Sequence, residues 1–197
     1  MDRTAPDNNP QCGILQPQGL SATAWLEAVV DISRQIANLE ALPTVLQSIV
    51  RVTTELANAD VAIIALLNQE QLQLVVRCFA AKQASIQSPT ACETLNFSMA
   101  MCAVEEERTL RFPQDRQAAD AMWRCPMLVQ PLQTAVAVPL TLDGTCIGVL
   151  VAGRHTSEHF TRRDASGLEH LAHQTVIGSR RPFNRTRAYG TRSARDF

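Results

Sequence analysis

No stretch of this 197-residue chain approaches the ~20 apolar residues of a membrane-spanning helix. Its first residues, MDRTAPDNNPQ, lack the apolar run of a secretory leader. Charge of one sign is missing too: the formal net charge is −1, so the molecule as a whole has no field that would recruit nucleic acid. Lysine is almost absent, Lys82 being alone among 18 basic residues. None of the six cysteines (Cys12, Cys78, Cys92, Cys102, Cys125, Cys146) forms a CxxC pair. Without a leader they are expected to be reduced thiols in a cytoplasmic protein. No Ser/His/Asp set, paired carboxylates or glycine-rich phosphate loop stands out, so the expectation is a protein without enzymatic activity or catalytic residues.

What is present is a regular succession of elements. Residues 134–153, TAVAVPLTLDGTCIGVLVAG, read as a hairpin. Asp143-Gly144 suits a two-residue type I′ turn, which needs φ > 0 at both central positions. The strand after the turn is apolar at nearly every position, as expected of one buried on both faces. Upstream, Trp25, Ala28, Val29, Ile32, Ile36 and Leu39 share one helical face. Pro43 fits the first turn of a second helix, whose apolar face is Val45, Leu46, Ile49, Val52 and Leu56. Strands are predicted over 61–67 and 72–79, a loop over 81–95, a short helix over 99–107 and a short strand over 110–112. Residues 117–132 are helix-like but broken by Pro126 and Pro131. A closing helix starts at a capping-box-like Thr161/Asp164, buries Leu168, Leu171, Ala172 and Val176, and meets a stop at Gly178. This order predicts an α+β domain: an antiparallel sheet with leading and closing helices packed mainly on one face.

Three regions follow from composition. Residues 1–20 are a Pro/Asn/Gln-rich, flexible segment, and 21–177 form the domain. Residues 178–197 are an arginine-rich tail expected to be disordered, with six arginines against one aspartate. Pro182, Gly190 and crowded like charges keep such a tail from extending a helix.

The phrases LEAVVDISRQIANLEALPTVLQSIV, ELANADVAIIALLNQEQLQLVV and TAVAVPLTLDGTCIGVLVAGRHTSEHFTRRDASGLEHLAHQTVI, in this order, resemble a GAF domain across about residues 21–177. The resemblance implies a GAF/PAS-like fold and a small-molecule sensory module of bacterial signal transduction. It also implies a homodimer through residues 21–39 and the closing helix. Two departures stand out. The segment LNFSMAMCAVEEERTLRF lacks the glycines many members carry, and the chain runs into its arginine-rich tail where members continue toward an output domain. The domain is therefore expected to act on a separate output partner, or the chain to be a truncated or frame-shifted product.

Where members of the family wall their pocket, this chain has Phe97, Met99, Met101, Trp123, Met127 and Leu128, soft and aromatic side chains suited to an adaptable site. They are the candidate ligand-binding residues, with ordinary core as the competing reading. The ligand and any cofactor stay unidentified. Cys92, Cys102 and Cys125 invite comparison with free methionine-R-sulfoxide reductases, an alternative reading. Cys102 sits in AMCAV instead of between glycines, however, and Cys125 precedes Pro126 instead of aspartate. A bilin thioether at Cys125 would want a following histidine. Phe160 and Asp164 match part of a cyclic-nucleotide signature, without its Asn-Lys pair. His155/His159 and His170/His173 lack further ligands at suitable spacing, so no metal site is assigned. A ligandless structural dimerisation module is the remaining alternative.

Overall fold

A computed structural model describes residues 22–68, 70–82, 98–114 and 132–179. Two helices lead, α1 (Ala22–Ala37) and α2 (Leu42–Leu56). The hairpin β1 (Val61–Asn68) and β2 (Gln73–Ala81) follows, then α3 (Ser98–Glu105) and the short β3 (Leu110–Phe112). A second hairpin, β4 (Thr134–Leu142) and β5 (Thr145–Arg154), leads into α4 (Arg162–Ser179). The strands form one antiparallel sheet in the order β2-β1-β5-β4-β3.

Alternation along the strands divides the core in two. Ala62, Ile64, Val136, Val138, Leu140, Leu150 and Ala152 face α1, α2 and α4. Their sequence neighbours Val61, Ile63, Ala65, Ala135, Ala137, Val149 and Val151 face α3. β5 is therefore buried on both sides, which is why its sequence is a continuous apolar run instead of an alternating one.

The β4–β5 turn has φ +50° at Asp143 and +79° at Gly144, the positive pair that the Asp-Gly dipeptide predicts. Gly148 is needed for another reason: a Cβ there would lie 2.3 Å from the Ala65 carbonyl oxygen on β1. The α4 start is a complete capping box. The Asp164 amide donates to Thr161 Oγ1 at 3.1 Å, and the Thr161 amide donates to Asp164 Oδ2 at 2.8 Å.

Several boundaries differ from the sequence reading. Leu72 belongs to the β1–β2 turn, with φ +51° and 70% exposure, so β2 begins one residue later and runs on to Ala81. Arg77 faces no residue of β1; it is the extra residue of a bulge between the pairs Ile64↔Cys78 and Ala65↔Val76. α3 spans Ser98–Glu105, because the chain turns at Glu106 and Glu107, the latter at φ +50°. Gly178 does not stop α4, which continues to Ser179. Leu39 leaves the apolar face of α1: it lies beyond the helix in the left-handed region, φ +60°, and is 76% exposed. The helix-like stretch over 117–131 lies outside the described residues.

Candidate ligand-binding face

The α3 side of the sheet is a cluster in which alanines lie among larger aliphatic residues such as Ile63, Leu74 and Val151. Ala65, Ala135 and Ala137 belong to this cluster together with Met99, Ala100, Ala103 and Val104 of α3. Alanines on both sides let a short helix approach the sheet closely, and Met99 is fully buried in that contact. Met101 and Cys102, on the same helix, are half-buried and pack on the edge of the cluster with Leu67, Phe79, Ala81 and Phe112. Of the six sequence-derived site residues, Met99 and Met101 are thus brought to one helix over one face. Met99 serves as core and Met101 sits at the margin. Phe97, Trp123, Met127 and Leu128 lie outside the described residues.

Apart from the thiols of Cys146 and Cys102, the side chains of this cluster are apolar. An apolar surface of this kind can hold a partner by burial and shape. Burial pushes the Cys146 thiol above its ordinary value, helped by the Glu107 carboxylate and opposed by backbone hydrogen bonds at Gly148 and Leu140. Burial also raises Cys78, against the amide of Phe79. Both are therefore protonated near neutral pH and poor nucleophiles. Of the cysteines compared with the reductases, Cys102 is half-buried, while Cys92 and Cys125 lie outside the described residues. His170 and His173 are exposed on α4, His170 Nδ1 lying 2.7 Å from the Ser166 carbonyl oxygen. Among the described residues, no group of three or more His, Cys, Asp or Glu side chains is placed to hold a metal ion.

The structure adds a polar centre that sequence reasoning missed. Arg154 ends β5 with 5% of its surface exposed. One guanidinium nitrogen donates to the Ala57 carbonyl at 2.7 Å, and the other to the carbonyls of Glu158 at 3.1 Å and His159 at 3.4 Å. Its carboxylate partners are Glu158 at 3.4 Å and Asp164 at 3.9 Å, and the guanidinium lies 4.2 Å from the Phe160 ring centroid. The residue ties the α2–β1 turn to the loop that launches α4. Phe160 and Asp164, read as parts of a signature, work here as the ring under the arginine and the cap of the helix. The only hint in the sequence was a lone charge closing an apolar strand. Its partners sit 97 residues upstream and at irregular spacings downstream.

On the opposite, helical layer, Trp25 packs on Gly167 of α4, where a Cβ would come within 2.4 Å of the indole. Leu26 and Val30, one turn apart on α1, are exposed at 67% and 50%. Trp25, Ile32 and Ile36 are buried inside the domain.

The architecture of a five-stranded antiparallel sheet between α3 and three helices matches known proteins. The GAF domain family model matches residues 40–178, and the chain belongs to the GAF domain family. No curated protein matches the sequence. Among solved structures, it is similar to the GAF domain of a phosphoenolpyruvate-protein phosphotransferase from Coxiella burnetii (15% identity, TM-score 0.62, covering 81% of this chain and 94% of that one). It is similar as well to a free methionine-R-sulfoxide reductase from Neisseria meningitidis in complex with its substrate (23% identity, TM-score 0.63, 80% and 89% covered). A third is the GAF-B domain of DevS from Mycobacterium smegmatis (17% identity, TM-score 0.53, 70% and 92% covered). At these identities the likeness is one of fold. Among the described residues, no helix is long and apolar enough to cross a membrane.

Proposed function

We propose that this GAF domain is a non-enzymatic sensory module that binds a small, largely apolar ligand over the α3 face of the sheet. Two copies associate through α1 and α4, and a separate output partner reads the result. The observation that carries the ligand reading is the placement of Met101 and Cys102, half-buried at the margin of a buried apolar cluster on that face. The exposed pair Leu26 and Val30 supports association, because apolar residues a turn apart on a helix make a seam for a second helix.

Native mass spectrometry and an absorption spectrum of the purified protein test both parts. The expected result is a dimer carrying a small molecule that is released on collisional activation. Leu26→Glu with Val30→Glu is expected to give monomers without loss of fold. A dimer with no bound mass favours the ligandless module. Turnover of free methionine sulfoxide, lost on Cys125→Ser, refutes the non-enzymatic reading in favour of the reductase.

A further inference from the structure

The ladder between β3 and β4 ends at Leu110↔Ala137. From Val138 to Leu142, β4 pairs only with β5 among the described residues. Beside this edge, the helical layer leaves a groove of about 410 Å³ between the turn at Glu107–Thr109 and the C-terminal half of α4. Val138, Pro139, Ala172 and Val176 give it apolar walls. Glu107, Arg108, Glu169 and His173 supply its charged and titratable groups. Arg108 is ion-paired with Glu106 at 2.6 Å, and Glu169 accepts a hydrogen bond from Thr109 at 2.7 Å. With Arg108 so matched, Glu107 and Glu169 leave the groove acidic. It is separate from the ligand face proposed above, being lined by α4 and by Val138, whose side chain points into the helical layer.

Residues 180–197 follow directly on Ser179, the last residue of α4, and carry six arginines against one aspartate. Arginine suits this groove on both counts. Its methylenes lie along apolar walls while its guanidinium pairs with a carboxylate. Distance allows it: going back along α4 from Ser179 to Glu169 is about 15 Å at 1.5 Å per residue, which about five extended residues cover. An extended segment there would also meet the stretch of β4 that pairs only with β5 among the described residues, the geometry of an added strand. We propose that the segment after α4, centred on Arg180–Arg187, folds back into this groove of its own chain, its arginines pairing with Glu107 and Glu169.

The full-length protein tests this by limited trypsin cleavage and amide hydrogen exchange. With Glu107→Gln and Glu169→Gln, or in 0.5 M NaCl, cleavage after Arg180, Arg185 and Arg187 is expected to accelerate about fivefold or more, because the pairing is ionic and screened. Glu27→Gln with Glu55→Gln, the same charge change on α1 and α2, is expected to leave it unchanged. In a full-length variant with Arg180, Arg181, Arg185 and Arg187 changed to glutamine, the Leu140, Thr141 and Leu142 amides should exchange several-fold faster, with the melting temperature retained. Cleavage insensitive to the groove substitutions overturns the proposal. So does protection that rises with protein concentration, since that places the segment on another copy.

Discussion

Replacing Arg154 by methionine keeps most of the aliphatic volume and removes the buried charge. Two well-placed hydrogen bonds are lost, to Ala57 and Glu158, each worth roughly 1.5–3 kcal/mol for a charged donor. The contact with the Phe160 ring adds about 2 kcal/mol at a desolvated site. The ion pair with Glu158 adds under about 1 kcal/mol, since that side chain is 55% exposed. Against these stands the cost of keeping a guanidinium out of water, several kcal/mol, which the methionine escapes. The net loss expected is about 2–4 kcal/mol, read as a lower urea midpoint with an unchanged slope. Amides in the loop 155–161 and the first turn of α4 should exchange faster than those of β1 and β5. Arg154→Lys, which keeps the charge but not the fork, should fall between methionine and the native protein. A loss below about 0.5 kcal/mol, or exchange that rises evenly across the domain, refutes the view of Arg154 as the tie between the α2–β1 turn and α4.

Gly167→Ala should destabilise by about 1–2 kcal/mol although alanine is the better helix former, because the new Cβ meets the Trp25 ring; a gain in melting temperature would show the ring moves freely. Cys78 and Cys146 should resist iodoacetamide at pH 8 in the native state and react in urea, as mass spectrometry of the labelled peptides would read. Burial raises both thiols, so the unfolded chain loses their protons first. Stability should therefore fall as pH climbs past about 9, and the fall should be shallower in Cys78→Ala or Cys146→Ala.

The fold was legible where one local rule decided the outcome. Asp143-Gly144 could close only one kind of hairpin, Pro43 opened α2, and the Thr161/Asp164 pair capped α4 as its spacing implied. It was not legible where tertiary context decided. Leu39 and Leu72 continue apolar patterns, yet both sit in turns at positive φ, because the chain must reverse there before the next element packs. Gly178 could end a helix, but α4 is held to Ser179 by packing, and that glycine lies near Ile36 and Leu42. For the candidate site, sequence reasoning found the helix bearing Met99 and Met101 but not their different burial, which depends on alanines from other strands. Arg154 was invisible because its partners share no sequence period with it.

The central claim is that a small ligand sits against the α3 face at Met101, beside the buried Met99. Carbon-13 methyl labelling of methionine gives the direct measurement: spectra of the protein as purified, and again after unfolding, dialysis and refolding to strip small molecules. The Met101 methyl resonance is expected to shift on stripping and to return when the dialysed fraction is added back, with Met99 following more weakly. Identical Met99 and Met101 resonances in both preparations would contradict it.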